Sequence, residues 1–499
     1  MNAAADDDWQ RLDPKVVLAV LALVLAPMFP ALAVMLIAGA EPTAVLTTLG
    51  IWLASAVAIG GLTASSWYFT RYRVTGERLE MRTGAVTRSH RSVPRDRIRS
   101  VDITAGPAHR VFGLAVLKVG AGSQGSGSTE LKLDAVTRPV AEALRQELLY
   151  GSATAPQEQA AEETPDGALA VMRPAWFGYS ALTLSMMAVV WGAIASAVGS
   201  FSELLTAFGF WGAVYTAATS IPLWLIVLAS AAVVLLTGML GSLLLSLEAW
   251  WGFRLTRDRG DTLRVRRGLL TTRSISLEER RLRGVELVEP LLLRWVRGAR
   301  VHAVTTGLSE SKGDKQPDNN TLLPPAPRGV AQQVAANVLR DEERPTALAL
   351  RGHPRAALRR RLNWAVLWAL PVVIAAVVLG VLDLVPVWLA VVVPVAVLAV
   401  GVGFAVDAYR GLGRALGERY LVSRSGSGLR RTVALQRSGI IGWRIKQSMF
   451  QRRSDLITVG ATTAAGRGVY HVHDVLSADG LEFADEAAPG ILAPFLERR

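Results

Sequence analysis

YRVTGERLEMRTGAVTRSHRSVPRDRIRSVDI, residues 72–103, decides the reading of this chain. Val and Leu alternate with polar neighbours, the period of half-buried strands. Gly76, Gly84 and Pro94 punctuate the turns. The plan returns twice. FRLTRDRGDTLRVRRGLLTTRSISLEERRLRGVEL starts at residue 253, and RYLVSRSGSGLRRTVALQRSGIIGWRIKQS at residue 419. Self-similarity of this kind marks repeated structural units.

The repeats extend C-terminally in step. Ile98, Leu282 and Ile440 each stand 12 residues before an arginine: Arg110, Arg294 and Arg452. Around these, GPAHRVFGLAVLKV, EPLLLRWVRGARVHAV and QSMFQRRSDLITVGAT align without a gap. Each unit closes on a helical pattern, expected at 138–150, 328–340 and 485–499. The second copy departs most: Glu278 stands where Pro94 sits, and SESKGDKQPDNN (309–320) lengthens a loop.

Outward from the repeats, charge and grease are segregated. The 499 residues are 51% hydrophobic with mean hydropathy +0.32, yet carry a net charge of +13. Residues 16–70, 174–253 and 362–409 contain no Lys or Arg and only five acids: Glu41, Glu203, Glu248, Asp383 and Asp407. These stretches carry −5 and the remainder +18. One soluble globule and a disordered polyelectrolyte are both excluded. A crossing helix needs about 20 apolar residues. Segments 16–38, 43–69, 176–198, 221–247, 364–382 and 385–406 meet this, giving six transmembrane helices in three hairpins. Segment 199–220 is ambiguous. With six crossings every Arg-bearing segment lies on one side, so the positive-inside rule places both termini and all three repeats in the cytosol. The charge is then mainly a topology signal, and nucleic acid is not an expected partner. The acidic N-terminus lacks the basic start of a cleaved signal peptide.

YRVTGERLEMRTG, VPRDRIRSVDI and HRVFGLAVLKVGAG together resemble the bacterial pleckstrin-homology-like membrane family of the YdbS/YdbT type. The resemblance covers essentially the whole chain. It implies membrane hairpins alternating with three small antiparallel β PH-like domains, each with a C-terminal capping helix, in the bacterial cytoplasmic membrane. The expected plan is a tail and hairpin at 1–71, a PH-like domain at 72–150 and a flexible linker at 151–173. A second hairpin at 174–251, a second domain at 252–340 and a basic juxtamembrane segment at 341–361 follow. A third hairpin at 362–409 and a third domain at 410–499 complete it. A role in the envelope stress response is implied by the family alone.

Catalytic chemistry is sparse. With no cysteine, thiolate catalysis and Cys–zinc sites are excluded. Gly120, Gly122 and Gly125 match GxGxxG, but STELKLD after them reads as a strand, so the segment is a hairpin loop rather than a dinucleotide site. His471 and His473 share a strand face beside Asp474, without a third ligand at metal spacing. No catalytic residue, cofactor or metal is expected. Arg110, Arg294 and Arg452 suit lipid phosphate or carboxylates, or a hydrogen bond within each repeat. Arg351, Arg355, Arg359, Arg360 and Arg361 form a juxtamembrane cluster suited to anionic phospholipid headgroups, or serve only as a topology anchor. The reading is a non-enzymatic multi-pass scaffold binding the lipid surface, itself as a homo-oligomer, or a related membrane protein. The alternative is a transporter or channel component gated by the repeats.

Overall fold

The computed structural model describes residues 9–37, 39–84, 88–121, 130–150, 167–258, 261–306, 320–492 and 494. Of the expected flexible linker at 151–173, residues 151–166 lie outside them, as do most of the 309–320 insert and most of the GxGxxG segment; the rest of that linker is not flexible chain, since Ala168–Val171 is a strand paired with Arg254–Asp258. The chain forms two compact units, Met1–Glu279 and Arg280–Arg499. The boundary falls inside the second repeat.

In the first unit, β1 (Gln10–Arg11), β2 (Arg71–Val74), β3 (Arg78–Thr83) and β4 (Ser89–Pro94) form an antiparallel sheet in that order. A second sheet contains β5 (Ile98–Ala105), β6 (Leu114–Ala121), β7 (Glu130–Thr137), β8 (Ala168–Val171), β9 (Arg254–Asp258), β10 (Thr262–Arg267) and β11 (Thr272–Glu278). Its order is β7-β6-β5-β11-β10-β9-β8. Strands of the first repeat therefore continue directly into strands of the second. Leu79 and Val93 from the first sheet pack with Val101, Leu117 and Leu131 from the second. Helix Arg138–Tyr150 adds Ala141, Leu144 and Leu148 to this core, the i, i+3, i+7 spacing of one helical face.

The second unit repeats the device. Its larger sheet contains β12 (Leu282–Pro290), β13 (Gly298–Thr305), β14 (Thr321–Pro327), β15 (Gly413–Leu416), β16 (Tyr420–Ser425) and β17 (Leu429–Gln436), ordered β14-β13-β12-β17-β16-β15. β18 (Gly442–Lys446), β19 (Leu456–Thr462) and β20 (Val469–Leu476) form a separate sheet. Leu421, Val433 and Leu435 pack against Val459, Val472 and Phe483.

One glycine sits at the same turn in every repeat. Gly84, Gly268 and Gly426 have φ of 109°, 109° and 102°. L side chains avoid that region. A Cβ on Gly268 would also strike the Thr271 carbonyl, and one on Gly426 the Leu429 carbonyl.

Among the described residues, five helical segments are long and apolar enough to cross a membrane: Lys15–Ile37, which is made of helices Lys15–Leu25 and Met28–Ile37, Pro42–Phe69, Leu223–Trp250, Arg355–Val381 and Val387–Arg410. The expected span at 176–198 is instead two helices, Trp176–Ala181 and the 17-residue Leu184–Ser200. The chain breaks at Leu182-Thr183, and the Ser242 hydroxyl of the facing helix donates to the Ser180 carbonyl at 3.0 Å. A polar neighbour of this kind makes a helix break tolerable among apolar residues. Segment 199–220 carries two further short helices, Ser202–Ala207 and Phe210–Ser220.

The closing helices follow the sequence reading in the first two repeats, at Arg138–Tyr150 and Arg328–Leu339. In the third the helix is Ser477–Ala487, earlier than the expected 485–499. Gly480, Phe483, Ala484 and Ala487 form its buried face, and Pro489-Gly490 follows the helix at once.

Candidate functional site

The three expected arginines lie on three equivalent short helices: Pro107–Val111, Leu291–Trp295 and Met449–Arg452. Arg110 donates to the carbonyls of Leu269 and Leu270, in the β10–β11 turn. Arg294 donates to the Ser427 carbonyl at 3.3 Å, in the β16–β17 turn. Leu269 and Ser427 each directly follow the positive-φ glycine of their turn. The bond is therefore made not within a repeat but from one repeat to the turn of the next. Arg294 also meets Asp407, near the end of helix Val387–Arg410, at 2.9 Å, and Arg430 reaches the same carboxylate at 3.4 Å. Arg452 is exposed, and its guanidinium has no partner among the described residues.

The same short helices carry exposed apolar side chains: Val111 (81%), Trp295 (70%) and Met449 (82%). The first packs through Ala108 on Val16 and Ala19 of helix Lys15–Leu25. On the third, the Phe450 ring lies 6.4 Å from Trp364 of helix Arg355–Val381. These helices thus touch the polar ends of the apolar hairpins.

A pocket of about 310 Å³ opens beside Trp251 and Gly252 in the first unit. Arg138, Arg254, Arg264, Arg266, Arg267 and Arg273 line it, with Glu142 as the acid among the lining residues. Arg264 binds Glu142 and donates to Ser274 at 3.0 Å. Burial pushes the Arg264 guanidinium below its ordinary value. Burial pushes Glu142 up, but Arg264 and Arg145 outweigh it and hold the carboxyl below the usual range. The Arg267 guanidinium lies 4.1 Å from the centre of the Trp250 ring. In the second unit the position equivalent to Ala105 is Glu289, which is 1% exposed and takes Arg328 at 3.3 Å. The first pocket lacks that carboxylate, so its cations suit a phosphate-like anion.

The juxtamembrane arginines divide. Arg360 and Arg361 both bind Asp474, the latter at 3.2 Å. Asp474 has φ 55° and 0% exposure, and accepts from Gln451 Nε2 at 3.0 Å. Arg351, Arg355 and Arg359 are exposed. His471 and His473 do share a face, with ring centres 5.5 Å apart, but both are half-buried. Burial and then His471 hold His473 down at about 4, and burial and then Arg414 hold His353 at about 4. No cluster of three potential metal ligands exists among the described residues.

Spans carrying acids place them structurally. Glu248 accepts the Thr271 backbone N–H at 3.1 Å, and Asp383 sits at φ 52° just past helix Arg355–Val381. The side chain of Glu203 lies outside the described residues.

A bacterial PH domain profile matches residues 16–152, 179–342 and 365–486. The chain belongs to the bacterial PH domain family. Three matches in series agree with three PH-like repeats in one protein. No curated protein and no solved structure matches the chain.

Sequence reasoning found the three arginines but not what they grip. It missed Asp474 as the acid opposing Arg360 and Arg361. The available signal was a carboxylate in an otherwise alternating strand, beside two histidines.

Proposed function

We propose that this bacterial PH domain protein is a non-enzymatic membrane scaffold. Six helices in three hairpins cross the bacterial cytoplasmic membrane, with Leu184–Ser200 and its N-terminal extension as the sixth crossing. Both termini and all three PH-like repeats face the cytosol. There they bind anionic lipid headgroups and a protein partner of the cell envelope.

One observation carries this reading. Successive repeats share sheets, and an arginine locks each shared sheet to the neighbouring turn. Modules joined this way suit a surface built for docking better than separately moving gates. The arginine pocket beside Trp251 and the exposed Arg351, Arg355 and Arg359 support attraction to anionic lipid, at about 1 kcal/mol per cation near the surface.

Crosslinking in native membranes, read by mass spectrometry, tests the scaffold. Crosslinks from repeat lysines and acids to other chains are expected. Native mass spectrometry of the full chain should also retain anionic phospholipid over zwitterionic lipid. Crosslinks that are all intramolecular, with no lipid preference, would overturn the proposal.

A further inference from the structure

Antiparallel strand addition joins successive repeats twice, in one register. β11 lies on β5 with Leu277 opposite Ser100, Ile275 opposite Asp102 and Arg273 opposite Thr104. β17 lies on β12 with Leu435 opposite Gly284, Val433 opposite Glu286 and Arg431 opposite Val288. Ser100 and Gly284 each stand ten residues before the clamping arginine, and Leu277 and Leu435 each nine residues after the turn glycine. These are the same pairs in two settings, so the joint is specific.

The third repeat offers the accepting half of that joint with no described strand on it. β18 is the rim of its sheet. Ile445 is 44% exposed, whereas its counterparts Ile103 and Leu287 are 8% and 0% exposed. A Cβ on Gly284 would strike the Ala434 carbonyl of the added strand, whereas at Gly442 it would meet nothing within 4 Å. Arg452, the counterpart of both clamping arginines, grips no turn among the described residues.

The charge of this edge is inverted. Filled accepting strands place an acid, Asp102 or Glu286, opposite the apolar Ile275 or Val433. β18 has Arg444 at that position and Lys446 two residues on, and neither has an ion-pair partner among the described residues. A second copy would offer β4, the counterpart of β11 and β17 at the end of the first sheet. In the shared register that puts Arg91 opposite Arg444, and like charges directly opposed across a ladder repel. Acyl chains cannot satisfy the bare N–H and C=O groups of a strand rim.

We propose that β18 and Arg452 form an unfilled inter-repeat joint that takes an acidic β-strand from a different protein. That strand pairs antiparallel with β18, sets carboxylates opposite Arg444 and Lys446, and follows a glycine turn whose carbonyl receives Arg452. This names the partner chemistry of the scaffold and rests on that reading for its cytosolic setting alone.

The probe is a fluorescent hairpin peptide copying residues 420–437, the natural occupant of the β12 edge. A second version carries Arg431→Glu and Val433→Glu. Both are titrated onto the full-length protein in neutral detergent by anisotropy. The acidic peptide is expected to bind at least tenfold more tightly than the parent. Arg444→Glu with Lys446→Glu, an exposed pair, should reverse the preference, and Arg452→Ala should weaken the acidic peptide several-fold. Equal affinity of the two peptides, or indifference to the charge reversal, overturns the proposal. So does an intermolecular disulfide between Val93→Cys and Gly442→Cys in membranes, which would make a second copy the occupant. Loss of anionic lipid retention in the reversed variant without peptide binding would assign the edge to the bilayer instead. Failure of peptide binding leaves native crosslinks and wild-type lipid retention standing, so the two readings fail separately.

Discussion

Arg361 reaches the fully buried carboxylate of Asp474 at 3.2 Å, with Arg360 on the other oxygen. The arginines begin the first helix of the third hairpin, and the aspartate lies in the last strand of the third repeat. The pair therefore ties a repeat to its own membrane hairpin. Its left-handed φ is one that Asp tolerates better than most residues. Removing one member of a buried ion pair strands the other, at about 3–5 kcal/mol. Arg360 and Arg361 are partly exposed, which trims the figure. Asp474→Ala should cost about 2–3 kcal/mol, read as a lower denaturation midpoint of the full chain in detergent. An unchanged midpoint would refute the tie.

The two depressed histidines make the second unit acid-sensitive. His353 and His473 titrate at about 4 when folded, against an ordinary 6.5. The unfolded chain therefore takes up protons below pH 6.5 that the folded chain refuses until about pH 4. Their contribution to stability is full above pH 6.5 and is lost as pH falls from 6.5 to 4. At about 1.4 kcal/mol per unit, each costs at most about 3.5 kcal/mol, less for the share of the ring in water. Melting curves between pH 7 and pH 5, above most carboxylate titrations, should show the slope. His473→Gln should flatten it, and an identical slope in the variant would count against the assignment.

The arginine clamps should separate by position. Arg110→Ala and Arg294→Ala each remove a charged donor to a turn carbonyl, worth about 1.5–3 kcal/mol. Arg452→Ala, with no turn to grip, should cost under about 0.5 kcal/mol. Hydrogen exchange reads this locally: β11 should lose protection in the first variant and β17 in the second. Equal effects of all three would mean that the arginines serve their own repeats.

Much of this was legible in the sequence because it is written in side chains. Alternation in 72–103 fixed the strands, and the 12-residue interval found Arg110, Arg294 and Arg452. Helix Arg138–Tyr150 agrees with its expected bounds because Ala141, Leu144 and Leu148 give it one clean apolar face. In the third repeat the expected bounds ran across Pro489-Gly490, a pair that stops a helix, and the helix ends before it at Ala487. The joints between repeats were not legible. Backbone hydrogen bonds carry them, and β5 and β12 read as strands whatever lies beside them. The break at Leu182-Thr183 was equally hidden, since neither residue is Gly or Pro and the relieving hydroxyl, on Ser242, lies 62 residues from the carbonyl it serves.

The turn glycines are the next test of the shared joint. Gly426→Ala meets both an unfavourable φ and the Leu429 carbonyl. Backbone strain of this kind costs about 1–3 kcal/mol. The turn also presents the Ser427 carbonyl to Arg294, so the variant should loosen the β12–β17 ladder beyond its own strain. Combining Gly426→Ala with Arg294→Ala should then cost less than the sum of the single changes. Strict additivity in the double-mutant cycle would show that turn and arginine act independently.

The arginine pocket of the first unit yields the sharpest test of lipid binding. At the equivalent position of the second unit the buried Glu289 takes Arg328, and the first has Ala105 instead. Ala105→Glu should therefore supply the missing carboxylate and displace an anionic headgroup without removing a single arginine. Because Ala105 is buried, an added side chain can strain the sheet, so Arg273→Gln serves as a milder partner from the rim of the same pocket. Both variants should retain several-fold less anionic phospholipid in native mass spectra, with zwitterionic lipid unchanged. If Ala105→Glu melts like wild type and keeps its anionic lipid, the headgroups bind elsewhere, and the exposed Arg351, Arg355 and Arg359 become the stronger candidates.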